Sequence, residues 1–294
     1  MKQNCLFFGN CQMFVIKEIL KTSEFNNYYN LFVFSSHLQQ NEESLNKLYG
    51  ELQHYSLIII QPHYSNEEYT LNSIISKTND KCKVIILPSS YFNGYYPNLT
   101  YALDEHRQIV RKPSDYHDKL IIDLYKEYKH GNITEKEIKE IFTKHFEDIN
   151  YISKEKLEES IEEGIVELQK REDKYINEKY KMNRDYSFIR ISTFIKNNYK
   201  KKLLFYSMNH PSIHLFTYIC NEILSILDMD YCVNKFSKLD LLDNVRVPLY
   251  KCIKNVVNFD VDKHAFLINN KQNVNDLVKM YIEEYKNIKN IEYK

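Results

Sequence analysis

A thiol, several imidazoles and a set of amide side chains stand at the ends of apolar runs in this chain. Cys11 follows Leu6-Phe7-Phe8-Gly9-Asn10 and precedes Gln12. Gln61 and His63 follow Leu57-Ile58-Ile59-Ile60, and Ser89, Ser90 and Asn93 follow Lys83-Val84-Ile85-Ile86-Leu87. Ser207, Asn209 and His210 follow Leu203-Leu204-Phe205-Tyr206. These are the parts of an acyl-transfer site. A thiol attacks, an imidazole takes the proton, and amide or backbone N–H groups hold the oxyanion. A Cys/His pair needs no adjacent Asp, because a thiolate forms readily once an imidazole or a helix dipole lowers its pKa. Cys11 opens a helical pattern (Val15, Ile16, Ile19, Leu20), so its pKa is expected to be depressed there. His37 and His214 read as structural or surface, and His106, His117, His130 and His145, in charged stretches, as solvated. No HxH or HExxH spacing is present, and no metal is expected.

The elements that must position these groups are short strands alternating with helices. Strands are predicted at Cys5–Phe8, Leu31–Ser35, Leu57–Ile60 and Lys83–Leu87, with helices after the first, around 43–52 and over 66–76. Lys201–Ser207 is expected to return as a fifth strand, followed by a helix from Ile213 to Leu227, with Pro211 suited to its first turn. Such alternation implies a doubly wound, mostly parallel α/β sheet of five strands, flavodoxin-like or SGNH-like. All the strand ends would then project to one carboxyl edge. Between them, Ser114 to Tyr199 is charged and helix-prone. Thr134 with Glu137 forms a capping-box signature, and Leu157, Ile161, Ile165 and Leu168 make one apolar stripe. The organisation expected is an α/β core over 1–113, a helical insertion or cap over 114–200, and core completion with a closing helix (Asn273–Tyr285) over 201–294.

Bulk composition excludes some classes of function. Forty basic and forty acidic residues give a formal net charge of +0, which offers no global attraction for nucleic acid or an anionic membrane. No apolar run approaches the roughly 20 residues of a transmembrane helix. Six cysteines are scattered without CxxC pairs, so neither a zinc ribbon nor a disulfide scaffold is implied. With Met1-Lys2-Gln3-Asn4 leading directly into a strand and no room for a signal peptide, a reducing, cytoplasmic setting is expected. A homo-oligomer is compatible with the sequence.

Gly9-Asn10-Cys11-Gln12, the Pro88…Tyr91-Phe92-Asn93-Gly94-Tyr95…Pro97 loop and His210-Pro211 together resemble the WcbI-type family. Its members are acetyltransferase-type proteins of capsular polysaccharide biosynthesis that bind coenzyme A. The layout is also similar to SGNH/GDSL hydrolases. There the first strand ends in a nucleophilic Ser, and a late Asp-x-x-His-Pro supplies base and orienting acid. By that likeness Cys11 stands in the Ser position and His210 in the base position. Ser207 occupies the Asp position, so the orienting acid is missing. The resemblance implies transfer of an acetyl or similar group from coenzyme A (acetyl-CoA) to a sugar hydroxyl. Cys11 and His210 are the candidate catalytic residues, with Gly9, Asn10, Gln12, Gln61 and His63 as oxyanion or polar positioners. Ser90, Tyr91, Asn93, Gly94, Tyr95 and Asn209 would line the saccharide acceptor. Arg107, Arg111 and Lys112 form a compact basic group, the two Arg on one helical face, for the cofactor's phosphates; the alternative is an exposed basic surface. A glycan esterase or deacetylase, and a non-catalytic coenzyme A- or glycan-binding module, are the competing functions.

Overall fold

The computed structural model describes residues 1–36, 42–62, 70–179, 186–230, 241–242, 245–263, 268 and 273–294. They fall into two compact units. The first comprises Met1–Ser90, Val166–Asn197 and Pro211–Leu241, and the second Tyr91–Ile165, Asn198–His210 and Leu242–Lys294.

The first unit is built on strands β1 (Gln3–Gly9), β2 (Tyr29–Ser35), β3 (Leu57–Ile60) and β4 (Lys83–Ile86), with an edge strand Ser187–Phe188 beside β4. Every pairing is parallel, and the spatial order is β2-β1-β3-β4-edge. This is the doubly wound order 2-1-3-4-5 of flavodoxin-like sheets, as the alternation of apolar runs predicts. Residues that alternate along the strands are buried on both faces, which is why the runs are continuously apolar. Leu6, Phe8, Ile58, Ile60, Val84 and Ile86 pack with Leu45 and Leu48 of helix Glu42–Glu51, with Leu52 just after it, and with Leu71, Ile74 and Ile75. Cys5, Phe7, Leu57, Ile59 and Ile85 point the other way and are equally buried. Helix α1 (Cys11–Leu20) packs against β1, β2 and helix Ile213–Ile226.

One expectation is corrected. The fifth strand of the sheet is Ser187–Phe188, inside the stretch that reads as helical, and not Lys201–Ser207. Ile189 N donates to Ile86 O (3.0 Å), so the place beside β4 is taken. Only Phe205–Ser207 is extended, and it pairs with His210–Pro211 in a separate two-stranded ribbon. The helix expected over 66–76 is seen as Leu71–Ile75, capped by Thr70, whose Oγ1 accepts from Ser73 N (3.2 Å). Residues 66–69, like His37 and His63, lie outside the described residues.

The second unit centres on helices Lys119–Lys129, Glu135–Glu147 and Val274–Tyr285, which pack on one another and bury Ile122, Phe142 and Tyr281. The capping box forms as its sequence signature predicts. Glu137 Oε2 accepts from Thr134 N (2.7 Å), and Glu137 N donates to Thr134 Oγ1 (3.3 Å). Helix Lys154–Lys179 begins in this unit, and its stripe Leu157, Ile161, Ile165 and Leu168 is fully buried, so it is no solvated spacer. His117, expected in solvent, is 0% exposed; its ring is held between Tyr285 Oη (2.8 Å) and the Val110 carbonyl (2.9 Å).

Candidate active site

The turn from β1 into α1 is shaped by three adjacent residues. A Cβ at Gly9 would lie 2.8 Å from Gln61 Cβ and 2.9 Å from Met13 Cγ, so only glycine allows this approach. Asn10 caps α1, its Oδ1 accepting from Gln12 N (2.9 Å), while its Nδ2 reaches Ser89 Oγ (3.5 Å). Cys11 is the first helical residue and is half-buried. The N–H groups of Cys11 and Gln12 pull its pKa down, but burial outweighs them and the thiol is pushed up. The depression expected from the helix start therefore does not occur, because withdrawing a thiolate from water costs more than two backbone dipoles return.

Gln12 and Gln61, each 1% exposed, form an amide clasp around Ser90. Gln12 Nε2 donates to Ser90 O (2.9 Å), and Gln12 Oε1 accepts from Ser90 N (3.1 Å) and from Gln61 Nε2 (2.8 Å). The Ser90 backbone thus fixes the orientation of both side-chain amides. Gln61 Oε1 and Ser90 Oγ, also buried, have no hydrogen-bond partner among the described residues. The clasp pins the loop leaving β4 to the start of α1. At that burial the two amides position the Ser90 backbone instead of presenting an open oxyanion pair.

His210 belongs to the second unit. One ring N–H donates to the Val245 carbonyl, and Nδ1, buried, has no hydrogen-bond partner among the described residues. Burial lowers the pKa to about 4, against the opposing pull of the Val245 carbonyl and the Asp115 charge. The imidazole is therefore neutral at pH 7, with an open lone pair on Nδ1. The Tyr116 ring stands edge-on to it (centroids 5.5 Å, 82°). Tyr116 Oη and Ser207 Oγ (3.3 Å) both donate to Asn209 Oδ1. Ser207, in the position of the missing acid, thus orients Asn209, and the orienting acceptor for the imidazole is the Val245 carbonyl. Sequence reasoning missed both Val245 and Tyr116. A backbone carbonyl carries no residue-type signal, and Tyr116 lies far along the chain from His210.

The loop after β4 is tied to the segment before His210. Phe92 N donates to Met208 O (2.8 Å), Tyr96 Oη to Phe205 O (2.8 Å) and Tyr91 Oη to Met208 Sδ (2.9 Å). Tyr91 and Asn93 are half-buried. Tyr95, by contrast, is fully buried, with its hydroxyl donating to Tyr199 O (2.8 Å) and Lys202 O (3.1 Å). Gly94 is pressed against Phe92 and Ile161 so closely that a Cβ would clash with both. Both are packing residues, not an acceptor lining. Arg107, Arg111 and Lys112 are exposed, but no helix spans them. Arg107 sits at φ 60° in the turn Asp104–Gln108, and Arg111 Nη1 pairs with Asp115 (3.4 Å), so the shared helical face does not exist. Among the described residues there is no group of three or more His, Cys, Asp or Glu able to hold a metal, and no helix long and apolar enough to cross a membrane.

The strand order, the thiol at the first strand–helix turn and the neutral imidazole on a separate ribbon define a class: a doubly wound, parallel α/β protein with reactive side chains after its strands. Within that class, the family model for WcbI, a polysaccharide biosynthesis enzyme, matches residues 4–231, and the chain belongs to this family. A solved structure of WcbI is described as a novel polysaccharide biosynthesis enzyme, in native form without a disulfide bond between coenzyme A and one of its cysteines. It is 20% identical, with a TM-score of 0.78 over 98% of this chain and 91% of that one. The likeness establishes a common fold. No curated protein matches the chain.

Proposed function

We propose that this chain transfers an acyl group, most simply acetyl, from coenzyme A to a sugar hydroxyl during polysaccharide synthesis. The observation that carries the reading is the unpartnered Nδ1 of His210, whose pKa burial lowers to about 4. Such a nitrogen accepts a proton from a hydroxyl as that oxygen attacks, and the Val245 carbonyl stabilises the imidazolium that forms. Coenzyme A supplies the thioester that makes the acyl group transferable. The thiol of Cys11, protonated at neutral pH by its burial, suits a donor-site residue better than an attacking thiolate. The solved WcbI, whose description links a cysteine with coenzyme A, supports a thiol-lined donor site. Asn10 and Gln12 fix the turn that carries Cys11, and Tyr91, Asn93 and Asn209 are the half-buried polar groups assigned to the acceptor.

Incubation with acetyl-CoA and candidate saccharides tests this directly. Release of free coenzyme A that requires the saccharide supports transfer, and acyl loss from an acylated glycan without coenzyme A supports a deacetylase instead. Failure of coenzyme A to raise the melting temperature would remove the donor from the scheme. Rapid-quench mass spectrometry separates the roles of Cys11. An acylated Cys11 peptide marks an attacking thiol, and its absence during turnover marks a donor-site residue.

A further inference from the structure

The amino-terminal edge of the sheet, opposite the edge that carries Cys11, presents a basic hollow that the proposed reaction does not use. Four strand starts meet there in register. Gln3 pairs with Tyr29, Ser56 N donates to Asn4 O (3.0 Å), and Lys83 N donates to Ser56 O (2.8 Å). A hollow of about 850 Å³ lies across this row, lined by Lys2, Lys81 and Lys83 together with Asn27, Tyr28 and Ser56, among others. Among the described residues no carboxylate lines it. None of the three lysines has an ion-pair partner among the described residues, and all three are exposed. A second hollow of about 400 Å³ shares Lys2 and Tyr29 with the first and continues along Lys17 and Lys21, so the track is elongated. Both of these lysines pair with Glu18 (2.5 and 3.8 Å), and the unpaired charge is that of Lys2, Lys81 and Lys83. Strands about 4.8 Å apart make a row of four about 14 Å long, the reach of a short oligosaccharide.

We propose that this track docks the anionic polysaccharide chain, an acidic glycan bearing carboxylate or phosphate groups, remote from the reacting hydroxyl. The lysines meet its charges. Tyr28, 55% exposed, offers a ring for a sugar's apolar face, and Asn27 and Ser56 serve its hydroxyls. A glycan is favoured over nucleic acid because the track holds no arginine to fork onto successive phosphates. The choice of a glycan rests on the proposed role in polysaccharide synthesis. The length of β1 puts the track about 20 Å from Cys11, so it acts by holding polymer and not on the chemical step.

Titration calorimetry of the intact protein with hexagalacturonate, maltohexaose and oligothymidylate tests the assignment. Hexagalacturonate is expected to bind, more weakly at higher salt, and maltohexaose to show no measurable heat. The double variant Lys81→Gln/Lys83→Gln is expected to bind hexagalacturonate about tenfold more weakly. Equal binding by the double variant, or no binding of hexagalacturonate at all, overturns the proposal. Oligothymidylate binding as tightly with the same lysine dependence also overturns it, in favour of a general polyanion surface. Coenzyme A-dependent turnover on a monosaccharide acceptor is expected to be unchanged in the double variant, and its loss would make the lysines part of the reaction. Because binding is read without turnover, failure of the track and failure of the acyl-transfer scheme are distinguishable.

Discussion

The surroundings of Cys11 and of His210 are polar in different ways. Around Cys11 most polar groups serve the local architecture: Asn10 caps α1, Gly9 leaves room for Gln61, and Gln12 holds both backbone groups of Ser90. The atoms left without partners there, Gln61 Oε1 and Ser90 Oγ, do not titrate near neutral pH. Around His210 the arrangement keeps one titratable atom open, because the Val245 carbonyl takes one ring N–H and burial holds Nδ1 unprotonated. Burial acts on both reactive groups but with opposite chemical results. It keeps the thiol protonated, which weakens it as a nucleophile, and keeps the imidazole neutral, ready to accept a proton at pH 7 though with a lower affinity for it. In the proposed reaction, proton transfer falls to the His210 region and scaffolding of the donor to the Cys11 region.

The largest expected break is at His210. His210→Ala is expected to lower kcat by about 10²–10⁴-fold, the usual contribution of a general base, with coenzyme A affinity retained. In the unaltered protein the pH profile sharpens the same point. A base with a pKa of about 4 is protonated only near that pH, so kcat/KM is expected to hold from neutral pH down to about 5 and fall below it. A fall centred on 6.5 would show an imidazole exposed to water during catalysis.

Breaking the clasp is expected to act on stability before activity. Gln12→Ala leaves the Ser90 N–H, the Ser90 carbonyl and the Gln61 amide without their partner, at a cost of about 3 kcal/mol measured by urea unfolding. Gly9→Ala forces a Cβ against Gln61 and Met13, and about 1–3 kcal/mol of destabilisation is expected from overpacking. If either change leaves the urea midpoint untouched, the turn is not held as described. The mildest test is chemical. Iodoacetamide should alkylate Cys11 more slowly than free cysteine at pH 7.5, with the rate climbing above pH 9, since burial raises its pKa. Faster alkylation than free cysteine would return Cys11 to the role of an activated nucleophile.

The sequence by itself determined the parallel sheet and the place of Cys11. Runs such as Leu57–Ile60 are apolar at every position only when both faces are covered, and Gly9-Asn10 marks a strand end and a helix cap through backbone rules that act within a few residues. The capping box at Thr134 and the buried stripe of helix Lys154–Lys179 were legible for the same local reason. The edge strand Ser187–Phe188 was not, because two residues carry no periodicity and only the free side of β4 selects them. Tertiary structure alone decided the chemistry of the reactive groups. Whether Cys11 is a thiolate, whether Tyr95 keeps a free hydroxyl, and which acceptor orients His210 all depend on burial and on partners remote in the chain. Val245 reaches His210 through a carbonyl that every residue possesses, so residue type holds no trace of it; only the packing that withdraws this imidazole from water makes that carbonyl its orienting group.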